Sequence, residues 1–410
     1  MSARPGPGLS DQALAAIASA RRAAAAERVS AMSVTVEIRP LASLGGMIEP
    51  WKALAARALE PNVFLDPAFA LAAAPVLGAG VQAGLVWSQS PVPELLGLFP
   101  VRLEGRRYGL PLPVLCGWTH PYAPFGTPLV HRDAAEPAIS AWLDHVAQDS
   151  ALPALMLLPY LCDDGPFAAL LDAVLARRGG AAASYDRHQR ALLAPAGERA
   201  DYLAHAVAPK RRKELARQWR RMQELGPAVV TRADEPAAVA AALADFLALE
   251  ADGWKGRAGT AAAANADIRQ FMMRAVNDLA AQKRAAIHRL CIGERAIAAC
   301  IVLRAGPAAW CWKIAYDEAH ARFSPGVQLL TRVTEDLLND TTVSNADSLA
   351  TPNHPLIDHI WRERRTVSDR MIAVKADSFV PFSVVCGLEA MRRLGRSAAR
   401  TIREHMSGAA

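Results

Sequence analysis

Two carboxylates, a phenol and several cations stand close together in the run Lys313-Ile314-Ala315-Tyr316-Asp317-Glu318, which leads through Arg322 to Ser324-Pro325-Gly326-Val327. A carboxylate beside a phenol suits proton transfer. Asp317 or Glu318 can take a proton from an attacking amine or anchor it, and Tyr316 can return one to a leaving group. Ser324 has N-cap chemistry, and Pro325 suits a first helical position because its missing N–H would be unpaired there anyway. Gly326 and Val327 add no bulk before the first turn. A helix start of this kind, with Arg322 beside it, presents oriented amides and partial positive charge to a pyrophosphate. The same three residues can equally do no more than begin a helix.

A second constellation precedes it. Glu250 lies near the end of a helical pattern, followed by Trp254-Lys255-Gly256-Arg257, with glycine as the stop. An exposed tryptophan between cations suits a sugar or nucleotide, by stacking and phosphate pairing. Glu250 can orient Lys255 or serve as an alternative base. Further back, helical spacing puts Lys210, Lys213, Arg217, Arg220 and Arg221 on one face and Leu215, Trp219 and Met222 on another. Such a charged face is either simply solvated or a contact for a donor's phosphates or an anionic acceptor. Asp347, His354, His120 and Asn353 are weaker candidates. No nucleophilic triad, Cys–His pair or metal-ligand spacing is present, so neither covalent nor metal chemistry is expected.

These residues need a scaffold. Period-2 runs read as strands at Val34–Ile38, Gly84–Ser88, Leu95–Leu103, Ala154–Leu158, Ala228–Thr231, Ala285–Ile292, Ala296–Leu303, Ala309–Tyr316, Val343–Asp347 and Thr366–Val374. In Ala309–Tyr316, Trp310, Trp312, Ile314 and Tyr316 are read as one face, and Cys311, Lys313 and Ala315 as the other. Helical patterns fall at Met47–Leu59, Ile139–Val146, Pro166–Ala176, Arg199–Ala206, Pro209–Leu225, Pro236–Ala251 and Ala266–Ala281, and from Pro325. Strands and helices alternate with an antiparallel meander in each half, which is α+β and not a doubly wound sheet. The expected organisation is an Ala-rich arm over 1–31, a first domain over 32–195, a second over 196–380 and a basic amphipathic helix over 381–410. The aromatic, Pro- and Gly-rich stretch Gly117–Pro128 is a packed lid or a binding surface.

Charge is unevenly distributed. Residues 1–195 carry 15 Lys+Arg and 16 Asp+Glu, leaving 31 and 24 for the remainder of the 46 and 40, a balance of +7. The second half is therefore the one to meet an anion. Apolar strand-like stretches such as Ala296–Leu303 run about eight residues where a bilayer span needs about 20, so no span is expected. Charged residues interrupt the first thirty positions, which do not read as a secretory signal. Six scattered cysteines without C-x-x-C spacing read as reduced thiols, and a cytoplasmic location is expected.

Taken together, these stretches resemble the CelD-like acetyltransferases, a branch of the GNAT superfamily related to the FemAB-type transferases. The resemblance lies in Tyr202-Leu203, Pro209-Lys210 and Arg212 with Arg217, Arg220 and Arg221, then Phe246, Leu249, Glu250, Trp254-Lys255-Gly256 and Gly259, then Lys313, Tyr316-Asp317-Glu318 and Ser324-Pro325-Gly326. Trp51, Leu54, Pro61-Asn62, Phe64 and Pro67 match more loosely. The resemblance implies two tandem GNAT-like domains, each a mixed, mainly antiparallel sheet flanked by helices. It implies acyl transfer from acyl-CoA to an amine, with an amino sugar, saccharide precursor or nucleotide sugar of envelope or exopolysaccharide synthesis as acceptor. Asp317, Glu318 and Tyr316 would then be catalytic. Arg322, Ser324, Gly326 and Val327 would hold the donor, and Trp254, Lys255, Arg257, Glu250, Lys313, Lys210 and Arg217 the acceptor. The loop carries one glycine where ordinary GNAT loops carry two, which leaves aminoacyl-tRNA open as donor and a non-catalytic binding role as a third reading.

Overall fold

The computed structural model describes residues 33–107, 109–375 and 379–407. The arm expected over 1–31 lies outside them. The first half runs β1 (Val34–Pro40), α1 (Ile48–Ala56), α2 (Pro67–Leu77), β2 (Val81–Ser88), β3 (Leu95–Glu104), β4 (Val114–Gly117), β5 (Leu129–Val130), α3 (Ala135–Gln148), β6 (Leu155–Cys162), α4 (Pro166–Arg177) and β7 (Ala182–Leu193). The second runs α5 (Tyr202–Ala206), α6 (Pro209–Gln223), β8 (Ala228–Ala233), α7 (Pro236–Asp252), α8 (Trp254–Arg257), α9 (Ala266–Ala280), β9 (Ala285–Ile292), β10 (Arg295–Ala305), β11 (Ala308–Tyr316), α10 (Pro325–Asn339), β12 (Asn345–Asp347), β13 (Glu363–Ala373) and α11 (Phe379–Ser407).

The thirteen strands of the described residues form one sheet, in the order β1-β2-β3-β4-β6-β13-β7-β12-β11-β10-β9-β8, with β5 on β3. The same pattern occurs twice. Strands β1 to β4 pair antiparallel and β4 pairs parallel with β6; strands β8 to β11 pair antiparallel and β11 pairs parallel with β12. This is the expected α+β architecture of two GNAT-like halves. The sheet does not divide at residue 195, however. Strand β13, from the end of the chain, lies between β6 and β7, and β7 pairs in turn with β12.

The halves are sewn together by packing as well as by strands. One apolar core runs from Leu41 to Ala315, and Phe69 of α2 meets Phe271 of α9 edge-on at 5.3 Å. Asp66 caps α2 by accepting from Ala68 N at 2.9 Å and also pairs with Arg284, ahead of β9. At the centre, buried Asp347 on β12 accepts from Arg190 on β7 at 2.7 Å and from Arg365 on β13 at 2.9 Å. Burial alone would raise this carboxyl, but the two guanidiniums outweigh burial and hold it below the usual aspartate value.

Most elements fall where the patterns place them; α2, β4 and β7 do not appear among the expectations. Helix α2 is Ala-rich and buried on most of its circumference, so it shows no amphipathic period. Strand β7 alternates small, charged and apolar residues, and Asp186 interrupts it with a left-handed φ of 47°.

Candidate functional site

Strand β11 carries the arrangement. It pairs with β12 only through Ala308, Ala309 and Trp310, whereas on its other side it stays paired with β10 as far as Tyr316. Beyond Trp310, β11 runs on to Tyr316 with no further ladder partner on that side among the described residues, because β12 ends at Asp347. The register with β10 also slips, from Ile301–Lys313 to Val302–Cys311, which leaves Trp312 as an extra residue on β11. A bulge of this kind shifts side-chain parity. The simple alternation expected from the sequence is therefore corrected: Trp310, Trp312 and Ala315 share one core, while Cys311, Ile314 and Tyr316 pack into the other. Trp312 Nε1 donates to Tyr122 O at 2.7 Å, and Lys313 Nζ stands 4.3 Å from the centroid of the Tyr122 ring.

Around Lys313 gathers a polar group in an apolar setting. Glu250, 3 % exposed near the end of α7, accepts from Lys255 Nζ at 2.8 Å and from Ala262 N at 2.9 Å. Burial pushes its carboxyl up, but Lys255, the Ala262 amide and Lys313 together outweigh burial, so it is held below the ordinary glutamate value. Lys313 is brought down to about 8, first by burial and then by the charge of Lys255, against the opposing pull of Glu250. Burial, with a contribution from Glu250, raises the Tyr122 phenol. A cavity of about 40 Å³ adjoins this group, lined in part by Glu250, Trp254, Lys255, Tyr316 and Glu318.

The segment that follows α7 turns at Gly253, not at Gly256 as the spacing had suggested, and residues 254–257 form a helical turn of their own. Gly256 has another purpose. A Cβ there would lie 1.6 Å from the Ala251 carbonyl oxygen, so only glycine permits the close fold-back of α8 onto α7. Trp254 is 59 % exposed, with Lys255 Nζ 5.9 Å from its ring.

Asp317 and Glu318 have structural partners. Asp317 accepts from Ala319 N at 2.9 Å, from Arg295 at 2.8 Å and lies 3.1 Å from His320 Nδ1. Glu318 accepts from Trp254 N at 2.9 Å and from Arg257 at 2.5 Å, and these bonds, Arg257 foremost, hold its carboxyl below the usual range. Glu318 thereby fixes the position of α8.

The start of α10 is more covered than expected. Ser324 occupies the cap position at φ 52° and ψ 51°, and its side chain makes no capping bond. The amides of Val327 and Gln328 both donate to Ser324 O, each at 3.0 Å, and Pro325 has none, which leaves Gly326 N–H as the first-turn donor. A Cβ on Gly326 would stand 2.9 Å from Leu356 Cδ1 and 3.2 Å from the Tyr316 ring, so both side chains lie over this corner. Arg322 is exposed, with its guanidinium 4.7 Å from the Phe323 ring. On the same face of the sheet, α6 is tied to α10 by Gln328 Nε2 donating to Leu215 O at 2.7 Å. Lys210 and Arg217 lie exposed on α6, and Arg217 is paired with Glu214 at 2.8 Å.

The candidate residues thus fall into two groups on opposite faces of the sheet. Glu250, Lys255 and Lys313 lie on the α7 side and Ser324, Gly326, Lys210 and Arg217 on the α10 side, while Tyr316 at the end of β11 meets both, packing with the α10 core and lining the cavity beside Glu250 and Lys255. Tyr122 and Leu356 were not among the expected site residues. The signal for Tyr122 was the aromatic density of 117–128, which brings a first-half side chain over β11. His120 in that loop is half-buried among Phe69, Trp118 and Phe271, and desolvation pushes it down to about 4.

Residues 209–353 match the family model of the acetyltransferase (GNAT) domain. No curated protein matches the chain in sequence. Among solved structures, FemX is similar over 80 % of this chain and 95 % of its own, at 11 % identity and TM-score 0.53. The C-terminal domain of a putative lysylphosphatidylglycerol synthetase from Agrobacterium fabrum is similar over 83 % and 96 %, at 12 % identity and TM-score 0.50. A conserved protein of unknown function from Bacteroides thetaiotaomicron is similar over 82 % and 99 %, at 11 % identity and TM-score 0.50. At these identities the neighbours speak for the fold alone. The segment built around β11 and α10 is thus similar to GNAT-type acetyltransferase domains.

Proposed function

We propose that the protein is an N-acyltransferase of the CelD-like kind, which moves an acyl group from acyl-CoA to the amine of a saccharide or nucleotide-sugar precursor. The end of β12 at Asp347, which leaves β11 without a ladder partner on that side beside Lys313, is the observation that carries this reading. A thioester lying along the α10 face presents its carbonyl at this unladdered stretch of β11, and an acceptor amine approaches from the α7 side. Arg322, Gly326 N–H and the exposed cations of α6 supply positive charge for the donor's phosphates, with Ser324 and Val327 shaping the corner. Trp254 offers a stacking face for a sugar ring, flanked by Lys255 and Arg257.

In this mechanism the acceptor nitrogen attacks the acyl carbonyl carbon, forming the C–N bond, and the C–S bond of the donor breaks. The proton lost by nitrogen passes to Lys313, whose neutral form is accessible near pH 8. The departing thiolate takes a proton from Tyr316. Asp317 and Glu318 act by holding the end of β11 and α8 in place. Thermal denaturation with acetyl-CoA and longer acyl-CoAs tests the reading: a ligand at a hundred times its Kd adds about 2.7 kcal/mol. Absence of stabilisation by any acyl-CoA sinks the CoA reading. The exposed cations of α6 favour a second donor, aminoacyl-tRNA. Binding of charged tRNA that weakens steeply with salt would then replace acyl-CoA stabilisation.

A further inference from the structure

Helix α11 is held to the sheet by one face. Val385 and Glu389 are buried, Tyr185 Oη donates to Cys386 Sγ at 2.9 Å, and Arg107 donates to Glu389 at 3.1 Å. The outward face is different. Val380, Val384, Met391 and Leu394 recur at helical spacing and are 69 %, 44 %, 61 % and 72 % exposed. Ser383, Gly387, Ala390 and Gly395, which lie among them on the outward side, are exposed and uncharged. These eight residues give the outward side between 380 and 395 an uncharged stripe, an unusual surface for water to meet.

The sequence then turns basic. From Arg392 to Arg403 it holds Arg392, Arg393, Arg396, Arg400 and Arg403 and no acidic residue. An apolar stripe joined to an arginine-rich segment gains twice at an anionic lipid surface, from burial of the stripe and from attraction to headgroups.

We infer that α11 seats this protein on an anionic bilayer surface, with Val380, Val384, Met391 and Leu394 at the boundary of headgroups and acyl chains. A second copy of α11 is the poorer occupant. Pairing would bring two arginine-rich segments together, and Gly387 and Gly395 would leave gaps in the seam. No helix among the described residues is long and apolar enough to cross a membrane, so the attachment is peripheral.

Vesicle flotation of the full chain tests this, with phosphatidylcholine alone and with phosphatidylglycerol added. The chain is expected to float with anionic vesicles and not with neutral ones. The double variant Met391→Glu/Leu394→Glu, whose side chains already face water, should lower the bound fraction about tenfold while keeping the unfolding midpoint. Three results overturn the inference: no flotation with anionic vesicles, equal flotation of the variant, or a dimer in sedimentation that the same variant dissociates. Flotation reads binding alone, so the outcome does not depend on the transferase reading.

Discussion

Lys313 is a cation whose surroundings argue against its charge, with Lys255 adding to burial and Glu250 resisting both. Replacement by methionine is expected to lower acyl transfer by about 10²-fold and to abolish the rise in rate between about pH 7 and 9. Stability should respond as well. The folded value, about 8, lies below the ordinary 10.5, so between these values the unfolded chain binds more protons than the folded one. The cost of the buried charge is present in full below about pH 8 and fades as pH rises through this window. Wild type should therefore gain on Lys313→Met across it in urea denaturation; a constant difference would contradict the assignment. Glu250→Ala is expected to cost about 3 kcal/mol, because it strands Lys255 and the Ala262 amide in a buried setting. Glu250→Gln should cost less, since an amide oxygen can still accept, and the same denaturation series compares the two.

At the scale of elements, two glycines decide how close helices come to their neighbours. Gly326→Ala drives a Cβ against Leu356 and Tyr316. It is expected to weaken donor binding, and adding Leu356→Ala should restore it; no recovery in a binding titration would mean that the corner does not touch the donor. Gly256→Ala meets backbone, not side chain, and should destabilise by about 1–3 kcal/mol with no such rescue. Neither constraint was legible in the sequence, where Gly256 read as a helix stop and Ser324 as an ordinary cap. Long periodic elements such as α9, β9 and α10 were legible because burial alone sets their pattern. The Trp312 bulge was not, because an inserted residue leaves composition unchanged while reversing which face Lys313 takes. The carboxylates Asp317 and Glu318 drew notice for their place beside β11, but their partners, Arg295 and Arg257, come from elsewhere in the chain.

The whole molecule behaves as one sheet, locked where β7, β12 and β13 meet. Asp347→Ala removes the shared partner of Arg190 and Arg365 at that junction. It is expected to cost about 3–5 kcal/mol. The shared core predicts that wild type unfolds in a single transition. Two resolved transitions in calorimetry would instead assign separate stabilities to the halves. The strand exchange that makes the halves inseparable lay beyond local pattern, since β13 pairs with β6 across some 200 positions of sequence.

In the proposed complex, acyl-CoA lies against the start of α10 and reaches the stretch of β11 beyond the end of β12. Calorimetric titration of acetyl-CoA into wild type, Arg322→Glu and Lys313→Met addresses it directly. One saturable site is expected, with a Kd raised about tenfold by Arg322→Glu, where an exposed charge facing phosphates is reversed, and left unchanged by Lys313→Met. No saturable binding, or a Kd indifferent to Arg322→Glu, would contradict it.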